Sequence, residues 1–198
     1  CTFIGNSSGD FFGGALRVNY STLGMSHCLF ERNSSNAIVS AQTIATLSEC
    51  TFIGNSAGED QGGALYLGDS TLEISRCLFE GNSAANAGAI YFTESNATLS
   101  ECTFFDNVAE FSGGAIQFGF VTQDETSPND VILRDCVFAR NVAYEGGALY
   151  VVPPTDQSTS PLLERCTFDN NIATQSGGAI YNFDGGSPVI TDCTFTSN

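Results

Sequence analysis

The sequence contains no lysine, and its basic side chains are six arginines scattered along the chain and one histidine. Twenty-two acidic residues oppose them, so the 198-residue chain has a formal net charge of −16. Proteins that bind nucleic acids replace the counterions of the phosphate backbone with Lys and Arg side chains. The composition therefore excludes a nucleic-acid partner.

Long apolar runs are also missing, as is any segment with sustained helical spacing of apolar residues. A membrane-spanning helix needs a run of about 18 or more apolar residues, so we expect no membrane insertion by this segment. Short runs of alternating apolar and polar residues occur throughout instead, and this alternation is typical of β-strands.

The most informative motif is Cys-x-Phe-x-x-Asn, which every one of the eight cysteines opens. The cysteines are Cys1, Cys28, Cys50, Cys77, Cys102, Cys136, Cys166 and Cys193. The phenylalanines are Phe3, Phe30, Phe52, Phe79, Phe104, Phe138, Phe168 and Phe195. The asparagines are Asn6, Asn33, Asn55, Asn82, Asn107, Asn141, Asn171 and Asn198.

A second phrase, Gly-Gly-Ala-Ile/Leu, stands between successive cysteine motifs, for example at residues 62–65 and 113–116. Degenerate copies occur at residues 35–38 and 87–90. Self-similarity at this period is the signature of a solenoid, in which each repeat packs on its neighbours. We predict a single repeat domain over residues 1–198 and expect it to be part of a longer array.

The strands of each repeat follow from the side-chain alternation. Leu72 and Ile74 alternate, as do Cys77 and Phe79, but the parity slips across Ser75-Arg76, which predicts a corner there. The Gly-Gly-Ala phrase begins a third strand. The prediction is an all-β, right-handed parallel β-helix: a single-stranded solenoid of about seven coils, each with three short strands and three bends, its hand set by the crossover rule.

Identical residues at identical repeat positions should stack from coil to coil. Neighbouring cysteines would then lie about one strand spacing apart, roughly 4.8 Å, with side chains parallel, which disfavours disulfides. We expect a buried column of reduced thiols and a parallel stack of the phenylalanine rings. The asparagines should form a ladder of side-chain amides.

The paired motifs resemble those of the chlamydial polymorphic outer-membrane proteins. Phe3-Ile4-Gly5-Asn6 and Phe52-Ile53-Gly54-Asn55 match one motif of that family, and the five intact Gly-Gly-Ala phrases match the other. The resemblance covers essentially the whole chain. It implies a β-helical, surface-exposed segment that acts as an adhesin or structural stalk without catalysis, located outside the cell or on its surface.

An enzyme remains an alternative, because polysaccharide lyases and hydrolases also use β-helices and need clustered carboxylates. Asp10, Asp60, Glu110 and Glu145 precede Gly-Gly phrases and would form an acidic column. Such a column would also attract calcium, although its spacing matches no known calcium loop. A solvated acidic rim is the simpler interpretation, and we expect no cofactor and no catalytic site.

Three surface features are candidates for recognition. Tyr66, Tyr91, Tyr150 and Tyr181 point outward by parity and would form a ligand platform, although aromatic residues also favour strands. Insertions at residues 119–130 and 153–161 would project from one corner, where surface carbohydrate or a host or partner protein would bind. The other partners expected are neighbouring repeats of the same or like chains.

Four Asn-x-Ser/Thr sequons occur, at Asn6, Asn19, Asn33 and Asn96. Asn6 and Asn33 belong to the predicted ladder and should be inaccessible. Asn19 and Asn96 are predicted on exposed bends and would carry glycans in a secreted eukaryotic protein. The function predicted is an extracellular structural or adhesive segment, and a carbohydrate-binding or carbohydrate-cleaving β-helix is the alternative.

Overall fold

A computed structural model describes residues 1–9, 13–119, 131–152, 161–183 and 187–198 of the chain. The described residues contain 26 short strands, which pair in parallel, each strand with its counterpart in the next coil. Here a coil runs from one motif cysteine to the residue before the next. The prediction of a parallel β-helix is confirmed.

Three sheets extend along the array. The Cys-Phe sheet contains β1 (Thr2–Ile4), β4 (Leu29–Glu31), β7 (Thr51–Ile53), β10 (Leu78–Glu80), β14 (Thr103–Phe105), β18 (Val137–Ala139), β22 (Thr167–Asp169) and β26 (Thr194–Thr196). The Gly-Gly-Ala sheet contains β2 (Leu16–Asn19), β5 (Ile38–Ala41), β8 (Leu65–Gly68), β12 (Ile90–Thr93), β16 (Ile116–Gly119), β20 (Leu149–Val151) and β24 (Ile180–Asn182). The pre-cysteine sheet contains β3 (Thr22–Ser26), β6 (Ile44–Ser48), β9 (Thr71–Ser75), β13 (Asn96–Ser100), β17 (Val131–Arg134), β21 (Leu162–Glu164) and β25 (Val189–Thr191).

A fourth sheet, the short sheet, follows the motif asparagine in four coils and was not predicted. It contains β11 (Ser83–Asn86), β15 (Val108–Ser112), β19 (Val142–Glu145) and β23 (Ile172–Ser176). The prediction of three strands per coil is therefore incomplete.

The corners are made by residues in the left-handed region of backbone conformation. In the coil from Cys77 to Glu101 these are Gly81 (φ 61°), Ala87 (φ 55°), Glu94 (φ 49°) and Glu101 (φ 54°). The coil thus turns four times, and the prediction of three bends is wrong. A left-handed residue turns the chain sharply without lengthening it, so each strand ends at a fixed residue and the register is preserved.

The second glycine of the Gly-Gly phrase is required for close approach between coils. A Cβ atom placed on Gly114 would lie 2.1 Å from the carbonyl oxygen of Gly147, and one on Gly147 would lie 2.0 Å from that of Gly178. Real Cβ atoms do not approach backbone atoms so closely. The second glycine therefore sets how tightly successive coils stack at this corner.

The core is a single apolar column inside the sheets. It contains the motif cysteines and phenylalanines together with the inward residues of the other strands, such as Leu65, Leu67, Ile74 and Leu99.

Insertions were expected at one corner only, and this expectation is wrong. The segment from Asn33 to Ile38 is shorter than that from Asn55 to Leu65, and the short sheet contains register shifts, so length also varies after the asparagine.

We predict that Gly114→Ala lowers the free energy of unfolding by about 2–3 kcal/mol or more, because the added methyl group forces the coils apart. Gly24→Ala is the matched control, since nothing lies within 4 Å of a Cβ at Gly24. It should leave stability unchanged or raise it slightly. Urea denaturation followed by circular dichroism measures both changes, and equal effects would contradict the close-approach explanation.

Candidate functional site

The motif asparagines form a continuous ladder of hydrogen bonds along one corner. The Asn82 amide nitrogen donates to Asn107 Oδ1 and to the Phe52 carbonyl, both at 3.0 Å. Its Oδ1 accepts from the backbone N–H and the side-chain Nδ2 of Asn55, again at 3.0 Å. Asn82 is fully buried. Each amide thus satisfies the polar backbone of a corner that would otherwise be buried without partners.

The eight cysteines form the parallel column, and all of them are free thiols. The Cys77 sulfur donates to the Ser75 carbonyl at 3.3 Å and lies 3.7 Å from the carbonyl of Leu47, which precedes Cys50 by three residues. The hydrogen bond with Cys77 and the loss of solvation on burial raise the pKa of the Cys50 thiol well above its usual range. A protonated thiol acts here as a small apolar side chain with one weak donor.

The phenylalanine rings stack in parallel over the whole array, with centroids 4.5–4.9 Å apart and planes within 8°. The six rings from Phe30 to Phe168 are fully buried. In the first coil and in residues 193–198, however, the same columns are open to solvent. Phe195 is 46 % exposed, and Cys1, Asn6 and Asn198 are also exposed, so the expectation of burial is wrong for these members, which have a neighbouring coil on one side only.

A column of hydroxyl groups at another corner was missed by the sequence analysis. The backbone N–H of Thr43 donates to Ser70 Oγ at 3.1 Å, and that of Ser70 donates to Ser95 Oγ at 3.1 Å. The three side chains are buried. The sequence signal was a Ser or Thr five residues after the Ile or Leu that opens β5, β8 and β12 of the Gly-Gly-Ala sheet. In the structure each of these residues directly follows a left-handed residue, namely Gln42, Asp69 and Glu94.

Ion pairs link exposed side chains of neighbouring coils. Arg165 contacts both carboxylate oxygens of Asp135, at 2.8 and 2.9 Å, and Arg140 contacts both of Asp106 at 2.8 Å. The arginines hold the pKa of both carboxyls below its usual range. All four side chains are about half exposed, so these pairs contribute little stability.

The predicted tyrosine platform divides into two stacked pairs. The Tyr66 and Tyr91 ring centroids lie 5.4 Å apart, as do those of Tyr150 and Tyr181, and Gln117 separates the pairs. Tyr91 is only 5 % exposed, so its assignment to an exposed platform is wrong. A Cβ on Gly119 would lie 2.2 Å from its hydroxyl oxygen, which shows that the ring packs onto the next coil. Burial, and secondarily Tyr66, raise the pKa of Tyr91 to about 12.

The acidic column is not formed. Glu145 lies in register with Ser112 and Ser176, whereas Glu110 lies in the part of β15 where the register shifts. The carbonyl of Asp60 accepts from Ala85 N–H, which places Asp60 beside yet another part of the short sheet. Asp10 lies outside the described residues. The carboxylates are spaced differently from the glycine corner, so they do not stack.

The two candidate glycosylation sites lie on strands rather than on bends. Asn19 is the last residue of β2 and Asn96 is the first residue of β13, and both are half-buried. Of the two sequons assigned to the asparagine ladder, Asn33 is buried and Asn6 is exposed. The prediction that the two ladder sequons are inaccessible is therefore wrong for Asn6, which is the most exposed of the four sequon asparagines.

A cluster of exposed apolar side chains lies on the short sheet, and it was also missed. Val108, Phe111, Tyr144 and Ile172 project from β15, β19 and β23 and are each 45–55 % exposed. The available signal was a β-branched residue followed by alanine directly after the asparagine in three successive coils. The insertions at residues 120–130 and 153–160 lie outside the described residues.

Comparison with protein families decides the classification. The profile described as "Right handed beta helix region" matches residues 1–153. The chain belongs to this family. The hand of the β-helix follows from the match, as predicted. The Chlamydia polymorphic membrane protein repeat matches residues 165–182, so the resemblance to that repeat is also confirmed. Comparisons with curated proteins and with solved structures gave no match.

The described part of this β-helix contains no convergent group of three or more His, Cys, Asp or Glu side chains that could hold a metal ion. Among the same residues there is also no helix long and apolar enough to cross a membrane. The chemical features of the described surface are therefore ion pairs, stacked tyrosines and the exposed apolar side chains of the short sheet.

We predict that Asn82→Ala destabilises the β-helix more than Asn96→Ala does. The first substitution leaves buried donors and acceptors of two neighbouring coils unpaired, each at a cost of about 1–3 kcal/mol. Asn96 is half-buried at the start of a strand and should cost less. Thermal melting of both variants measures the difference, and similar shifts would rule out a stabilising ladder.

We predict that thiol titration under denaturing, non-reducing conditions finds eight free groups. In the folded chain Cys1 and Cys193 should react rapidly with a disulfide reagent, because one is exposed and the other partly exposed. The six buried thiols should react only as the structure opens. Fewer than eight groups after denaturation would reveal disulfides between coils and contradict the parallel packing.

Proposed function

We propose that this chain is a structural and adhesive segment of an extracellular or cell-surface β-helical protein, and that it has no catalytic activity. The observation that supports this most strongly is the unbroken stacking of eight Cys-x-Phe-x-x-Asn units, combined with the match to a repeat of chlamydial polymorphic membrane proteins. That repeat is named for polymorphic membrane proteins, which favours a surface location for this chain.

The chemistry of the described surface favours recognition over turnover. The carboxylates that could have formed an acid–base pair are dispersed by the register of the short sheet. His27, the sole histidine, lies at an exposed corner and pairs with Glu49 at 2.6 Å. A regular array instead presents the same face at intervals of about 4.8 Å, which suits a stalk that holds recognition elements away from a surface.

A carbohydrate-binding face is the second candidate, and one observation favours it. The Tyr150, Tyr181 and Phe183 rings lie together at the outer side of the Gly-Gly-Ala sheet, with centroids 5.4–6.4 Å apart. Phe183 is 43 % exposed and both tyrosines are half-buried. Exposed aromatic faces can stack on sugar rings. A glycan array probed with the chain and with Tyr181→Ala tests this second function.

Adhesion is tested with beads that carry the purified chain, applied to cultured cells and washed under flow. We expect these beads to be retained and beads that carry an unrelated β-helix to be lost. Residues 119–130 and 153–161 can be replaced by the four-residue connections that other coils have at these places, such as residues 68–71 and 69–72. This replacement should reduce retention if the insertions contribute to recognition, while the melting temperature stays close to that of the parent chain.

The same preparation is incubated with a panel of polysaccharides, and new reducing ends or unsaturated products are measured. The proposed function predicts none. Turnover that is abolished by Asp60→Asn or by Glu110→Gln would instead make the protein an enzyme. Absence of both retention and turnover would leave a purely structural role and would contradict the adhesive part of the proposal.

A further inference from the structure

The short sheet carries an apolar patch, which consists of Val108, Phe111, Val142, Tyr144 and Ile172. Val108, Val142 and Ile172 occupy one register position in β15, β19 and β23. They form an outward column along the axis, with neighbours about one strand spacing, or 4.8 Å, apart. Val108 is 45 % exposed and Ile172 is 55 % exposed. Burying such side chains in a contact is favourable.

Phe111 and Tyr144 extend this column sideways. Ser112 pairs with Glu145, and Phe111 and Tyr144 directly precede these residues in β15 and β19. The register shift in β15 supplies the additional residue there, and bulges commonly redirect side chains towards a binding surface. Phe111 is 52 % exposed and Tyr144 is 48 % exposed, and aromatic residues are enriched among the residues that dominate binding energy.

The fold does not require apolar residues at the column. The same position is occupied by serine in the first four coils, where Ser7, Ser34, Ser56 and Ser83 pair in sequence. Ser83 lies within β11 and pairs directly with Val108, so the short sheet itself accepts serine here. Strand propensity therefore does not account for the change from serine to valine and isoleucine. An exposed apolar patch with a polar border is typical of an interaction site.

The charge around the patch indicates the chemistry of the partner. Glu110 and Glu145 lie within the same strands as the patch. Arg140, the nearest cation in the preceding corner, is paired with Asp106 and lies 3.7 Å over the Phe105 ring. The chain as a whole carries 22 acidic residues against six arginines. Five of those arginines pair with carboxylates, namely Arg32, Arg76, Arg134, Arg140 and Arg165.

We propose that this patch binds a basic protein surface or segment that presents apolar side chains between Lys or Arg residues. A second copy of the chain is disfavoured, because each copy has a net charge of −16. A sugar is disfavoured, because three of the five side chains in the patch are branched aliphatic groups, which cannot stack on a sugar ring as a flat aromatic face does. The patch would account for part of the recognition in the proposed function. The inference depends on the proposed function only for its biological setting.

The patch is tested directly with a random dodecapeptide display library, selected on the immobilised chain at physiological salt. The library is depleted beforehand on the triple variant V108S/V142S/I172S, which restores the serine that the first four coils carry. Surviving peptides are synthesised and their affinities measured by fluorescence anisotropy. Ile44→Ser is the matched control, because Ile44 is 62 % exposed but lies in the pre-cysteine sheet.

We expect surviving peptides to combine apolar residues with Lys or Arg and to bind the triple variant about tenfold or more weakly than the parent chain. Ile44→Ser should not change their affinity. The double variant F111S/Y144S should weaken binding as well, which separates the patch from any loss of strand stability in the triple variant. Glu110→Gln should weaken binding and reduce its dependence on salt.

Several results would overturn the inference. These are the absence of any peptide that discriminates the triple variant, selection of acidic peptides, or an equal loss of affinity in Ile44→Ser. If the parent chain self-associates and the triple variant does not, the patch binds a second copy of the chain. If the parent chain binds a glycan and the triple variant does not, the patch binds a sugar. Beads that carry the triple variant and are still retained fully by cells would contradict the patch while leaving the proposed function intact.

Discussion

The structure depends on one constraint, namely that buried polar groups at the corners must be satisfied by the same groups one coil away. An asparagine amide provides a donor and an acceptor separated so that each can reach the next coil and the backbone at once. Such a ladder works only if every coil places asparagine at the same height. The constraint therefore fixes the register of the Cys-Phe and pre-cysteine sheets, because the strands of these sheets stand at constant distances before the asparagine.

The apolar columns follow from this register. Phenylalanine stacks on phenylalanine and cysteine on cysteine, because the spacing between coils brings like positions into contact. Inside each coil, one large ring, one small thiol and several aliphatic side chains fill the core together. The second glycine of the Gly-Gly phrase completes the arrangement, because any larger residue would separate the backbones that the amides and rings hold together.

Variation is accepted where these columns are not involved. The segment after the asparagine changes in length from coil to coil, and there the chain forms the short sheet, with its register shifts and exposed apolar side chains. A rigid repeat that leaves one corner free to vary separates the requirements of folding from those of recognition. The change from serine to valine and isoleucine in the later coils is the clearest example, since both versions stand in the same column.

The sequence alone determined the β-helical fold and the membership of the cysteine, phenylalanine and asparagine columns, because identical residues at identical repeat positions stack on one another. Phe79 and Asn82 could be assigned from their spacing to Cys77. The sequence could not determine which outward residues are exposed. Tyr91 has the same parity as Tyr66 but is buried, because its hydroxyl lies over Gly119 of the next coil. Glu110 and Glu145 both precede a Gly-Gly phrase but do not stack, because Glu110 lies three residues before its glycine and Glu145 lies one residue before, where it pairs with Ser112. Exposure and alignment outside the repeated motif depend on the neighbouring coil, and only the tertiary structure brings that coil into contact.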